Sequence, residues 1–192
     1  MRRIRYAVAA SLDGYIAGPK GEADWIIMDP EIDFNSFFQQ FDSVLLGRRT
    51  FETMARAGNA GMPGMKTFVF SSTLRQSDYP DVTIVSEKST EVLETLRQQL
   101  GKDIWLFGGG SLFGSLLDAK LVDTVEIAVI PVLLGGGIPL LPSPAKVTKL
   151  NLTRHKITRL ESFPWSTQSN ELLSNKSLDA SGGSERAKRK GE

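Results

Sequence analysis

The chain has 192 residues and a formal net charge of +1, from 23 Lys and Arg against 22 Asp and Glu, so no strong overall field draws it to nucleic acid or an anionic membrane. The absence of cysteine and a single histidine, His155, exclude disulfides, thiolate metal sites, thiol nucleophiles and most zinc-site designs; no metal is expected. A mean hydropathy of -0.14, no apolar run near the roughly 20 residues that span a bilayer, and a Met1-Arg2-Arg3 start with no cleavage pattern behind it lead us to expect a cytoplasmic globular domain.

Residues 4–10 read as the first strand. Asp33 can cap a helix whose Phe34, Phe37, Phe38 and Phe41 recur at i, i+3, i+4 and i+7, placing four rings on one face. Short apolar runs bounded by turn residues follow at 43–46, 67–70, 82–85 and 104–107, as expected of strands buried on both faces. A helix runs from Gly47 to near Gly58. Another spans 89–100, with Ser89 as cap, Glu91 in the first turn, a stripe of Val92, Leu93, Leu96 and Leu100, and Gly101 beyond it. Residues 125–130 form a sixth strand and 150–157 a last one. Strands alternating with helical patterns predict an α/β fold with a largely parallel sheet. Residues 1–160 form the expected domain. Residues 161–192, Ser-rich and poor in branched apolar residues, are an expected disordered tail, whose basic stretch 186–190 is a solvated end more often than a nucleic-acid arm. No internal repeat is present.

Four strand-to-helix or strand-to-loop junctions carry the chemistry. At Leu46-Gly47-Arg48-Arg49-Thr50-Phe51, two arginines occupy a first helical turn, where a cation costs roughly 0.3 to 1 kcal/mol. A bound anion such as a phosphate would reverse that sign, Gly47 letting it approach bare N–H groups; alternatively both guanidinium groups turn to solvent or to Glu52. Phe70-Ser71-Ser72-Thr73 offers hydroxyls after a buried strand, for a ligand or for a helix cap. Phe107-Gly108-Gly109-Gly110-Ser111-Leu112 has three glycines between a strand and an apolar helix, yet fits neither the P-loop nor GxGxxG, since position 113 is Phe113. Ser11-Leu12-Asp13-Gly14 is either a turn or, with Gly18, Gly21 and Trp25, a glycine-hinged loop over a flat ligand.

Together with Ile130-Pro131-Val132-Leu133-Leu134-Gly135-Gly136-Gly137, these stretches resemble the dihydrofolate reductase-like fold, and within it the C-terminal reductase domain of the bifunctional riboflavin-biosynthesis protein, in order over residues 1 to about 157. The resemblance implies a three-layer α/β/α architecture with a mostly parallel twisted sheet and an antiparallel C-terminal edge. It implies NADPH as cofactor: Gly47, Arg48, Arg49 and Thr50 at the phosphates, Ser71 and Ser72 at the adenosine 2′-phosphate, and Gly108, Gly109, Gly110, Ser111 and Leu112 under the pyrophosphate, with a cis peptide in the glycine run. Ala9, Ile16 and Ala17 would line the nicotinamide. The implied activity is hydride transfer to a small nitrogen heterocycle, a ribosylated pyrimidine as in riboflavin synthesis, with dihydrofolate reduction or a non-catalytic NADPH-binding scaffold as alternatives. Asp13, Glu31 and Asp33 are the candidate acids for substrate contact or proton supply. The family's habit and the apolar segment 125–134 imply a homodimer, with no nucleic acid or membrane partner. The family's final hairpin strand is replaced here by Thr-Arg-Leu-Glu-Ser-Phe-Pro-Trp, in which Pro164 cannot donate to a central ladder. His155 reads as an exposed strand residue, and no Gly-x-Ser-x-Gly elbow accompanies it.

Overall fold

Strands that carry apolar residues on both faces need a helical layer on each side. The computed structural model describes residues 1–27, 32–59 and 61–157 and shows that arrangement. The strands are β1 (Ile4–Ser11), β2 (Tyr15–Ala17), β3 (Phe41–Gly47), β4 (Lys66–Phe70), β5 (Thr83–Val85), β6 (Asp103–Gly108), β7 (Thr124–Ile130) and β8 (Ile138–Pro139). The helices are α1 (Phe34–Phe38), α2 (Arg48–Arg56), α3 (Ser89–Gln98) and α4 (Gly110–Asp118), with a short 3-10 turn at Gln76–Asp78.

Six strands form one sheet in the order β5-β4-β3-β6-β1-β7, every neighbouring pair parallel. A separate antiparallel pair joins β2 to β8, Tyr15 opposite Pro139 and Ala17 opposite Ile138. Alternate residues of each central strand enter different cores. Leu45, Ile104 and Leu106 pack with Tyr6, Leu93 and Leu96 of α3, and Phe113 and Leu116 of α4. Val44, Leu46, Val69 and Trp105 pack with Phe51 of α2, and Phe37 of α1 lies against the same cluster. The expected three-layer fold is therefore present, with α1 and α2 on one face and α3 and α4 on the other.

Several local expectations change. Phe41 opens β3 rather than completing the phenylalanine face of α1, which ends at Phe38; its ring instead stacks on Trp105 at 5.8 Å. Helix α3 ends at Gln98, leaving Leu100 fully exposed, and Lys88 rather than Ser89 sits at its N-cap. Residues 150–157 form no strand, because periodicity makes a strand only where a second strand supplies ladder bonds, and none of the described residues does so. His155 is exposed, as expected, but on irregular chain.

The chain divides into a compact unit Met1–Asn151 and a second unit Leu152–Glu192, of which the described residues, 152–157, contain no helix or strand. The expected tail 161–192, Pro164 and the basic stretch 186–190 lie outside the described residues. Among the described residues no helix is long and apolar enough to cross a membrane, and no group of three or more His, Cys, Asp or Glu could hold a metal ion.

Tyr6 offers a stability test. Its ring stacks on Phe113 at 3.9 Å, it is fully buried, and its hydroxyl has no hydrogen-bond partner among the described residues, while burial pushes its ionisation well above the ordinary tyrosine value. A buried hydroxyl without a partner costs about 1 to 3 kcal/mol. Tyr6→Phe is expected to stabilise the protein by about 1 kcal/mol, raising Tm by about 2 to 4 °C in thermal unfolding. A lower Tm would mean that the hydroxyl has a partner.

Candidate functional site

The strand order brings the four junctions side by side. Gly47 lies opposite Phe70 and Leu46 opposite Gly108, while Ser11 lies opposite Ile130. The carboxyl edge of the sheet therefore carries, in sequence across it, Ser71 and Ser72, the Gly47–Thr50 turn, the Gly108–Leu112 turn, and the loop after β1.

Two of these junctions are open helix N-termini. Helix α2 has Gly47 at its N-cap and α4 has Gly109, neither with a side-chain cap bond, and neither helix has an acidic residue in its first turn. Elsewhere the chain supplies the ordinary complement: Asp33 caps α1 and Glu91 sits in the first turn of α3. Unpaired N–H groups at two adjacent helix starts form an electropositive cradle. Gly47 keeps it open. A Cβ there would lie 3.6 Å from the Gly108 carbonyl oxygen and 3.7 Å from Leu112 Cβ, ordinary contact distances, so no protein atom demands glycine at this position. A Cβ on Gly109 would lie 3.4 Å from Thr50 Oγ1 and 3.9 Å from Ile16 Cδ1, so Thr50, Gly109 and Ile16 converge. The expected cis peptide is present, between Gly108 and Gly109.

Gly110 answers to a different constraint. Its Cβ would meet the backbone oxygens of Pro139 at 2.5 Å and Leu140 at 2.9 Å, so this glycine admits the segment around β8. Ser111 is exposed and Leu112 packs at the margin of the core. The arginines divide as well. Arg48 Nη1 donates to Glu52 Oε1 at 3.0 Å and Oε2 at 3.1 Å, whereas Arg49 is exposed and makes no side-chain hydrogen bond or ion pair among the described residues. Ser71 is buried, its Oγ accepting from the N–H groups of Thr73 and Leu74, so it shapes the turn while Ser72 stays exposed.

The acids are engaged locally. Asp33 accepts from the N–H of Ser36 at 2.9 Å and from its hydroxyl at 2.5 Å, bonds that hold the carboxyl below the usual range. Asp13 accepts from Ser11 Oγ at 2.6 Å, Leu134 N at 3.1 Å and Gly135 N at 2.8 Å. Leu12 N to Val132 O and Leu140 N to Gly14 O complete a clasp between the loop after β1 and residues 132–140. Glu31 lies outside the described residues. Ala9 is half-buried on β1, opposite exposed Ala128, and Ile16 and Ala17 lie on β2.

The Ser11 hydroxyl, followed by the Gly135 and Leu134 N–H groups, holds the Asp13 carboxyl below its ordinary value despite an opposing desolvation. A depressed folded value means that the clasp is fully charged above the ordinary carboxylate pKa of about 3.9 and is lost as pH falls through the lower folded value. The Gly135 amide shift in NMR is expected to titrate with a midpoint below about 3.9 and to be flat from pH 5 to 8. A midpoint above that value would remove Asp13 from the clasp.

Two charged residues inside apolar strands, Arg5 and Glu126, are absent from the sequence-derived site. The guanidinium of Arg5 is buried, donates to Glu126 Oε1 at 2.7 Å and Oε2 at 2.8 Å, and lies 4.7 Å from the Phe41 ring centroid. Their one sequence signal is a charge amid an apolar run.

The family model described as RibD C-terminal domain matches residues 2–163. YyaP of Bacillus subtilis (strain 168), an uncharacterized protein, is 35% identical over 151 residues, covering 72% of this chain and 80% of YyaP. A crystal structure from Shewanella sp. PV-4, carrying a provisional riboflavin-biosynthesis name, is 28% identical with a TM-score of 0.67, covering 82% of this chain and 92% of that one. Dihydrofolate reductase from Enterococcus faecalis, complexed with NADP(H) and RAB-propyl, shares the fold at 22% identity and a TM-score of 0.56, covering 73% and 77% of the two chains.

Proposed function

Because the chain belongs to the RibD C-terminal domain family, we propose that it is an NADPH-dependent reductase transferring a hydride to a small nitrogen heterocycle. The carrying observation is the pair of uncapped, acid-free helix starts at α2 and α4, side by side at the carboxyl edge of the sheet, with Gly47 keeping the space before them open. That donor set suits a pyrophosphate, two linked anionic groups, better than a single neutral ligand. Thr50, Gly109 and Ser111 would hold the pyrophosphate, Arg49 and Ser72 are the exposed donors suited to the adenosine 2′-phosphate, and Ala9, Ile16 and Ala17 would border the nicotinamide.

When bound, NADPH supplies the hydride; the chain supplies position. Asp13 pins the loop after β1 to residues 134–135, which holds β2, and with it Ile16, beside Gly109. The carboxylates of Asp13 and Asp33, already bound to N–H and hydroxyl donors, act in the framework, and an ordered water is the proton source consistent with their engagement. A ribosylated aminopyrimidine is the substrate class favoured by the family.

NADPH titration followed by nicotinamide fluorescence tests the reading. We expect saturable binding that prefers NADPH over NADH, and Arg49→Ala with Ser72→Ala should reduce that preference at least about tenfold, the scale of a lost charge-assisted hydrogen bond. Absence of NADPH binding would overturn it. Oxidation of NADPH with 5-amino-6-(5-phosphoribosylamino)uracil or with dihydrofolate then separates the two reductase activities, and binding without turnover identifies a scaffold. The reading includes a homodimer, supported by exposed Ile127 and Val129 on edge strand β7 and by exposed Leu133; light scattering distinguishes it from a 21.1 kDa monomer.

A further inference from the structure

Beyond Asp13 and Asp33, a further carboxylate is supplied by the sheet itself, that of Glu126 on β7. The β1–β7 register pairs Ala7 with Glu126 and Ala9 with Ala128, so these four side chains share a face. It is the face of Trp105, since Ala7 and Trp105 pack in one core. Ala128 is exposed and Ala9 half-buried, which leaves a shelf of two methyl groups uncovered by either helix of that layer. Aromatic rings of the same face stand beside it: Phe38 and Phe107 pack against Trp105 at 5.5 and 5.0 Å. Glu126, two residues before Ala128, closes the other end of the shelf, about 7 Å along the strand.

The carboxylate of Glu126 is held and still open. Arg5 donates to both of its oxygens, and the Thr124 hydroxyl adds a bond to Oε1 at 3.1 Å. Three of roughly four acceptor positions are thereby filled, leaving one on Oε2. Its side chain is 41% exposed although its partner Arg5 is 10% exposed, so the pair presents its acceptor rather than its cation. Arg5 is itself neutralised on the far side by Asp103 at 3.4 Å and bonded to Gln40 at 2.7 Å. A charged group rigidly bonded from behind and uncovered in front is oriented at little entropic cost to a ligand.

We propose that Glu126, oriented by Arg5, is the substrate-orienting residue of the site, its Oε2 accepting a ring N–H or exocyclic amine from a planar nitrogen heterocycle lying on the Ala9–Ala128 shelf. This rests on the reductase reading and adds to it the residue that selects the substrate. A heterocycle with an N–H edge facing Glu126 is accepted, and one with only carbonyl acceptors there is rejected because two acceptors would face each other without a proton.

Calorimetry with NADPH-saturated protein, using 5,6-diaminouracil and dihydrofolate as probes, tests it. Glu126→Gln keeps the shape and one acceptor for Arg5, and Ala128→Leu fills the shelf from an exposed position that the core does not use. We expect wild type to bind at least one probe, each variant to bind it at least about tenfold more weakly, and the NADPH Kd of both variants to stay within about twofold of wild type, a separation that a framework role for Glu126 would not produce. With a turned-over probe, KM rises in Glu126→Gln while kcat changes by less than about threefold. Unchanged probe affinity in Glu126→Gln, or refusal of both probes by NADPH-saturated wild type, overturns the proposal while the reductase reading stands. Failure of wild type to bind NADPH overturns both.

Discussion

Gly47→Asp is expected to make the protein more stable and, on the proposed reading, to abolish the binding of NADPH. Gly47 has φ -78° and ψ 156°, extended backbone open to any residue, and a Cβ there meets nothing closer than 3.6 Å. An aspartate at this N-cap accepts an N–H from the first turn of α2 and places a negative charge at the positive end of the helix, gaining a few tenths to about 1 kcal/mol. The same charge would stand about 4 Å from a bound phosphate, a repulsion of about 4 kcal/mol at an effective dielectric near 20. Thermal unfolding should show an unchanged or higher Tm, and fluorescence titration an NADPH affinity at least about 100-fold lower. Retained affinity would put the pyrophosphate somewhere other than the α2 start. With Arg48 paired to Glu52, Arg49 is the first-turn cation of this uncapped helix that is exposed and unpaired among the described residues, and a bound anion would complement it.

Gly110→Ala should behave in the opposite way, as a loss of stability. Its added methyl meets two backbone oxygens, of Pro139 and Leu140, and Pro142 Cδ at 3.2 Å, none of which is the flexible end of a side chain. Relief requires moving the 138–142 segment away from α4. Overpacking of a tight contact costs about 1 to 3 kcal/mol, and a clash with backbone falls at the upper end, so a Tm lower by about 6 to 12 °C is expected. Because β8 pairs with β2, the displacement also shifts Ile16 and Ala17. A fully stable Gly110→Ala would show that the segment yields freely. The two glycines thus separate by measurement: one is open toward a ligand, the other is closed by the fold.

The degree to which each feature was legible follows from the range of the interactions behind it. The six parallel strands begin and end within two residues of their expected positions, because a strand buried on both faces is a continuous apolar run whatever its neighbours. The breakdown at 150–157 has the same origin in reverse, since alternation there had no partner strand. Phe41 fitted a helical period by sequence and joined β3 through pairing with Asp103 of β6, a choice that local spacing cannot contain. Ser71, Asp33 and Asp13 each had two readings, ligand contact or local bond, and the backbone N–H groups within reach decided: Thr73 and Leu74, Ser36, and Leu134 with Gly135.

By itself, the sequence determined the α/β class, the strand positions, the glycine-bearing junctions and the family resemblance, because these depend on burial patterns and on residues adjacent in the chain. The tertiary structure alone decided that α2 and α4 begin side by side, that Gly110 serves packing while Gly47 stays open, that Asp13 is a clasp, and that Arg5 meets Glu126 across 121 positions of sequence. Strand order and register bring distant residues into contact, and the free energy of those contacts arises only once the sheet has assembled.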